Sequence, residues 1–176
     1  MTGTSGVQPL ERFLSTMQTV SREGLHLAYS WRRLYEEPID AAWVQNLDDR
    51  PDLAEGLEAF VSRFGRMQDT IGEKLLPRWL IALAETPGSM IENLNRVERL
   101  GVLTNVDRWL EARQLRNRLI HEYMKTPETL AADLLLAREY CRDLFTTYSR
   151  LRDYAITRMS VSQVELPELA TLGTNS

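Results

Sequence analysis

A run of apolar side chains spaced alternately by four and three residues constrains the fold more than any other feature of the sequence. The run consists of Leu53, Leu57, Phe60, Phe64, Met67 and Ile71. This spacing places the side chains along one narrow side of an α-helix, a seam suited to packing against another helix. Helical periodicity recurs from Leu10 to about Glu36 and again before Met159. No alternating β-branched segment indicates a strand, so we predict an all-α chain.

Local signals divide the sequence into four to five helices of an antiparallel bundle. Prolines mark the breaks: Pro38 ends the first helix, and Pro77 kinks or restarts the second. Ser89 with Glu92 predicts a capping box, and Thr104 and Thr126 are candidate caps of later helices. We expect a flexible N-terminus over residues 1–9, a helical-bundle domain over residues 10–158 and a disordered tail over residues 159–176.

Composition narrows the functional classes. The 176 residues fit one domain, and the net charge of −4 argues against non-specific nucleic-acid binding by a polycation. Cys141 is the only cysteine, so no intramolecular disulfide is possible. No run approaches the roughly 20 apolar residues of a membrane-spanning helix. We expect a soluble, cytoplasmic protein with no membrane association, no cofactor and no metal site.

One short segment concentrates the residues that could carry chemistry. Its pattern is Arg116-Asn117-x-x-x-His121-x-Tyr123. Asn117 and His121 are one helical turn apart and share a face, whereas Arg116 and His121 are about 140° apart around the axis. Arg113 lies four residues before Asn117 and extends the same stripe. No acidic residue occurs from Arg113 to His121, so the segment predicts a local basic patch.

These residue types suit RNA cleavage without a metal ion. The reaction requires that the 2′-hydroxyl lose its proton, that the leaving 5′-oxygen gain one, and that charge on phosphorus be stabilised. Histidine carries protons near neutral pH, and arginine holds a phosphoryl group with paired donors. Asn117 and Arg113 would support the phosphate. Because one histidine does not easily serve both sides of the phosphorus, we expect a symmetric homodimer that supplies two.

The same residues also have structural interpretations. His121 is alternatively a structural histidine at a helix C-terminus, where positive charge is favoured. Tyr123 is alternatively a core aromatic, since it shares helical spacing with Leu119 and Ile120. Arginine followed five residues later by histidine is expected about 0.2 times by chance in such a chain, and the added asparagine and tyrosine make the full pattern much rarer.

In this motif the chain resembles HEPN-domain ribonucleases, in particular the HEPN toxins of HEPN/MNT (HepT-like) toxin–antitoxin pairs. The resemblance rests on the segment from Arg116 to Tyr123 and extends more weakly to the helix order, the stretch from Phe60 to Lys74 and the stop at Leu100-Gly101. It implies a metal-independent endoribonuclease toxin in which Arg116 and His121 are catalytic. It further implies an MNT-type nucleotidyltransferase antitoxin that adenylylates Tyr123.

Two other functions remain open from the sequence. In the first, the chain is a non-catalytic helical subunit that binds a nucleotide or substrate beside a nucleotidyltransferase, with Arg116 and Asn117 holding a phosphate only. In the second, it is a helical dimerisation protein in which the segment is structural.

Overall fold

All regular elements of the described residues are helical, as predicted. The structure, a computed structural model, describes residues 7–121 and 125–173. The α-helices in chain order are α1 Val7–Leu34, α2 Ala41–Gln45, α3 Pro51–Thr70, α4 Leu76–Ala82, α5 Met90–Arg99, α6 Val106–Leu119 and α7 Pro127–Arg158. Helix α1 begins at Val7, three residues before the expected start at Leu10.

With α3 and α4 counted as one rod, the structure has six helices in the described residues, one more than the predicted maximum of five, because of one short element. Helix α2 has only five residues, in a region for which the sequence predicted no helix. Asp40 caps it by accepting a hydrogen bond from the Trp43 backbone N–H at 2.8 Å, and the Trp43 side chain is buried. Five residues are too few to display a periodic pattern, which is why the sequence did not predict this helix.

Helices α3 and α4 form one continuous rod interrupted by a π-helical turn, Ile71–Leu75. The sequence predicted a kink or restart at Pro77, and the structure places the irregularity just before this proline. Proline has no N–H and its ring crowds the preceding turn of an α-helix. In the wider turn the Leu76 N–H bonds the Ile71 carbonyl, five residues back, so the rod continues past Pro77.

The predicted seam on α3 forms the centre of the core. Helix α1 packs mainly against α3, and five of the six seam residues are buried while Leu53 is half-buried. Phe60 and Phe64 stack with ring centroids 6.0 Å apart. Tyr35, the residue after the end of α1, meets the Phe60 ring edge-on at 5.6 Å. The alternating spacing therefore identified the contact surface correctly.

Helices α6 and α7 are antiparallel neighbours joined by polar contacts in a single register. From one end to the other, the pairs are Arg108 with Asp143, Glu111 with Tyr140 and Arg118 with Asp133. Thr126 caps α7, as predicted. The cap of α6 is Asn105 and not Thr104, because the Asn105 side chain accepts from the Arg108 N–H at 3.0 Å.

The C-terminal segment was expected to be disordered, but its described part, residues 159–173, packs on the bundle. Leu166 is 1% exposed, and the Tyr148 hydroxyl donates to the Pro167 carbonyl at 2.6 Å. Gly24 of α1 gives this segment room, since a β-carbon there would lie 2.6 Å from Leu169 Cδ2. The apolar residues of the tail are too sparse to show periodicity, so the sequence did not predict their burial.

Candidate functional site

The segment singled out from the sequence lies at the C-terminal end of α6. Arg116 and Asn117 are in the last helical turn, Ile120 is the C-cap, and His121 is in the turn that follows. The His121 N–H bonds the Arg118 carbonyl at 3.1 Å, which tightens the end of the helix. Tyr123, the predicted adenylylation site, lies outside the described residues.

Arg116 points into a groove between α3 and α6, where its guanidinium forms a two-pronged ion pair with Asp69. The two terminal nitrogens each lie 2.8 Å from a different carboxylate oxygen. The Arg116 side chain is 23% exposed and that of Asp69 is 34% exposed. Paired donors on a planar guanidinium match a carboxylate and a phosphate equally well. Asp69 therefore fixes Arg116 in a conformation able to present its remaining N–H groups to an anion.

The close approach of the two helices depends on glycine. A β-carbon at Gly65 of α3 would lie 2.7 Å from Nε of Arg116, and one at Gly72 would lie 3.3 Å from Cζ2 of Trp109. The two glycines are seven residues apart, as are their partners on α6. The missing side chains let Arg116 lie flat along α3 and reach Asp69 one turn farther on.

The groove around Arg116 has a volume of about 580 Å³. Arg66 and Lys74 contribute further positive charge, while Val61, Leu119 and Ile120 form an apolar wall. Carboxylates also line it; these are Glu58, Asp69 and Glu73. The mixture can hold a phosphate against the arginine and an uncharged ring against the wall, but it is not the uniformly basic surface expected from the sequence.

A half-buried carboxylate lies behind the groove. Glu23 of α1 accepts a hydrogen bond from the Thr70 hydroxyl at 2.9 Å through one oxygen. Its other oxygen is buried and has no hydrogen-bond partner among the described residues. Burial raises the pKa of Glu23 above its ordinary value, although Thr70 and the nearby Arg66 act in the opposite direction. Sequence analysis did not identify this residue, because nothing in the local pattern of α1 marks it.

His121 and Asn117 are both exposed. An exposed imidazole is available to a ligand or to a second molecule. Within the described residues, no hydrogen bond or ion pair joins Arg116 to His121, in keeping with their angular separation around the axis of α6. The structure therefore places the predicted pair at the C-terminal end of α6 but does not join the two side chains by a hydrogen bond or an ion pair.

Carboxylates from other helices neutralise the predicted basic patch. Arg113 lies 3.8 Å from Glu73 and also donates to the sulfur of Met90 at 2.6 Å. It thus turns toward the π-helical turn and does not extend the stripe of Asn117 and His121. Arg118 pairs with Asp133 of α7. The local absence of acidic residues in the sequence was misleading, since the acidic partners come from distant segments.

The comparisons with known proteins identify no relative. No protein-family model, no curated protein and no solved structure matches the chain. Within the described ranges, no cluster of three or more histidine, cysteine, aspartate or glutamate side chains could hold a metal ion. No helix of those ranges is both long and apolar enough to cross a membrane.

Proposed function

We propose that this chain is a metal-independent endoribonuclease of the HEPN type, the toxin of a toxin–antitoxin pair. The observation that carries the proposal is the combination of an oriented arginine and an accessible imidazole at the end of α6. Asp69 and Gly65 hold Arg116 in a groove large enough for a nucleotide. His121 is exposed five residues farther along the chain.

In the proposed reaction the 2′-oxygen of RNA attacks the adjacent phosphorus and the bond to the 5′-oxygen breaks. One imidazole removes the 2′-hydroxyl proton, and a protonated imidazole gives a proton to the leaving 5′-oxygen. Arg116 stabilises the added negative charge on the phosphoryl oxygens, using the N–H groups that Asp69 does not occupy. Asn117 contributes an amide donor on the exposed side of the same helical turn.

A second copy of the chain supplies the second imidazole in this proposal. Helix α7 exposes Leu135 and Leu136 at 44% and 45%, and Ile120 beside His121 is 56% exposed. Apolar side chains of this size on neighbouring elements support an interface near the motif. A symmetric pair would place two copies of α6 face to face and bring each His121 toward the Arg116 of the other copy.

The decisive test is toxicity and RNA cleavage by single variants. Expressed alone in bacteria, the parent should arrest growth, and Arg116→Ala and His121→Ala should each abolish the arrest. His26→Ala is the matched histidine control, because His26 is exposed on α1 and offers only its carbonyl to Arg63. Arg99→Ala is the matched arginine control. If both motif variants stay as toxic as the parent, the catalytic assignment is wrong.

Chelation tests the absence of a metal from the mechanism. Purified protein should cleave single-stranded RNA equally well with and without EDTA, and the products should end in 2′,3′-cyclic phosphate and 5′-hydroxyl groups. Loss of cleavage in EDTA, restored by a divalent cation, would contradict the proposed mechanism.

Neutralisation by an MNT-type nucleotidyltransferase antitoxin, through adenylylation of Tyr123, is part of the same proposal. An AMP group on Tyr123 would add bulk and a phosphate to the motif whose Arg116 otherwise binds the substrate phosphate. The intact mass of the protein co-expressed with such a partner should rise by one or more AMP units. The Tyr123→Phe variant should show no increase; an unmodified tyrosine in a neutralised complex would indicate occlusion instead.

One observation favours the second candidate, a nucleotide-binding subunit that cuts nothing. Both terminal nitrogens of Arg116 bind Asp69, and within the described residues no hydrogen bond joins Arg116 to His121. If the chain is a binding subunit, a mononucleotide should bind in the groove and RNA should stay intact. His121→Ala should then bind the nucleotide as tightly as the parent. The ribonuclease proposal predicts cleavage that depends on His121.

A further inference from the structure

Asp133 of α7 is a nearly buried carboxylate that binds two cations at once. Its side chain is 9% exposed. Arg118 donates to both of its oxygens, from Nη2 at 3.1 Å and from Nε at 3.4 Å. The Lys125 ammonium donates to one of the same oxygens. Burial alone would raise the pKa of Asp133, but these hydrogen bonds lower it below its ordinary value.

The two cations come from opposite sides of His121 in the sequence. Arg118 lies three residues before His121 and Lys125 lies four residues after it. Lys125 is itself 13% exposed, and an ammonium that is mostly withdrawn from water requires a partner. A single carboxylate on a different helix therefore anchors the chain on both sides of the imidazole.

We propose that Asp133 is a positioning residue, which fixes His121 through the ion pairs with Arg118 and Lys125. The inference rests on the proposed function for its catalytic consequence, but the anchoring itself does not require that the protein cleave RNA. Positioning matters because a displacement of about 1 Å at a reacting group can cost about 100-fold in rate. Asp133 reaches His121 only through its two partners and is not expected to touch the substrate.

The chain contains a matched ion pair for comparison. Arg108 and Asp143 join the same two helices, ten residues earlier on α6 and ten residues later on α7. Arg108 donates to Asp143 from Nε at 2.8 Å and from Nη2 at 2.6 Å. Asp143→Asn therefore removes an ion pair from the same helix interface at the end far from His121.

Amide hydrogen exchange tests the anchoring without any assay of activity. Asp133→Asn should speed exchange at Ile120 and His121 at least about tenfold, because their N–H groups bond the carbonyls of the last turn of α6. Asp143→Asn should leave these two amides unchanged. Lys125→Ala should give an intermediate effect, since Arg118 still holds the carboxylate. If Asp133→Asn speeds exchange at Ile120 and His121 no more than at the other amides of α6 and α7, the variant lowers only the general stability of the bundle, and the proposal is overturned.

Kinetics then test the consequence for the reaction. Asp133→Asn should lower kcat for RNA cleavage at least about tenfold while changing KM less than about threefold. Asp133→Glu should recover part of the rate, and Asp143→Asn should equal the parent. An unchanged kcat would overturn the positioning role even if the local exchange rises. If the parent protein cleaves no RNA, the proposed function fails, and the exchange experiment alone decides whether Asp133 anchors His121.

Discussion

Arg116 packs against the bare backbone of Gly65. A β-carbon at Gly65 would lie only 2.7 Å from Nε of Arg116, so this position has no room for a side chain. We predict that Gly65→Ala displaces the guanidinium, breaks its pairing with Asp69 and reduces RNA cleavage about 100-fold. Stability should change by less than about 1 kcal/mol, because alanine favours the helix while the ion pair is lost. Cleavage rates and urea unfolding of the same preparation measure the two effects.

Gly56→Ala is the control for that prediction. Gly56 lies on the same helix and a β-carbon there meets nothing within 4 Å. The free energy of unfolding of Gly56→Ala should rise by about 0.5–1 kcal/mol, because alanine has the higher helix propensity, and the variant should keep full activity. An active Gly65→Ala variant would show that the conformation of Arg116 in the groove is irrelevant to the reaction.

The fold was predictable from the sequence where long periodic patterns and caps agree. The seam from Leu57 to Ile71 is buried as expected, and the capping box of Ser89 with Glu92 is present. Gly101 adopts the left-handed conformation, with φ of 79°, that ends α5. The short helix α2 and the packed tail were missed because burial there involves a few isolated side chains and no repeat.

The site was predictable only in part. Helical geometry predicted Arg116 and His121 at different angles near the end of one helix. In the structure Arg116 is in the last turn of α6, and His121 is exposed in the turn that follows. Helical geometry did not predict Asp69, Glu73 or Asp133 as partners of the arginines. Each of these pairs depends on how far one helix slides along another, a quantity that no local pattern encodes. The glycines at Gly65 and Gly72 fix that distance for α3 and α6, but their role becomes clear only in three dimensions.

Acid should weaken the contribution of Asp133 to stability. Its folded-state pKa is lowered, so the contribution is complete above the unfolded value of about 3.9 and is lost as the pH falls through the lower folded value. At pH 7, Asp133→Asn should cost about 3 kcal/mol, since it leaves Lys125 without its carboxylate. Urea unfolding should show that the difference in the free energy of unfolding between parent and variant is smaller at pH 2 than at pH 7. A difference independent of pH would contradict the assignment.

The Tyr148 hydroxyl should hold the C-terminal segment on the bundle. Burial raises the pKa of Tyr148 to about 12, so the phenol stays a neutral donor to Pro167 at all ordinary pH values. Tyr148→Phe removes this bond at a cost of about 1 kcal/mol. Limited proteolysis should then cut residues 160–173 faster, with little change in α7. Tyr29 is an exposed tyrosine of α1, so Tyr29→Phe is the control. The protease should cut this variant at the same rate as the parent.

Cys141 should be a clean probe of global unfolding. It is 0% exposed, and burial raises the pKa of its thiol above the ordinary value, so neither access nor ionisation favours reaction in the folded state. We expect no modification by a thiol reagent in native buffer and rapid modification in urea, with a labelling midpoint equal to that of the circular-dichroism transition. Because Cys141 is the only cysteine, the signal needs no deconvolution. Labelling well below that midpoint would mean that α7 opens locally, which would contradict its packing in the core.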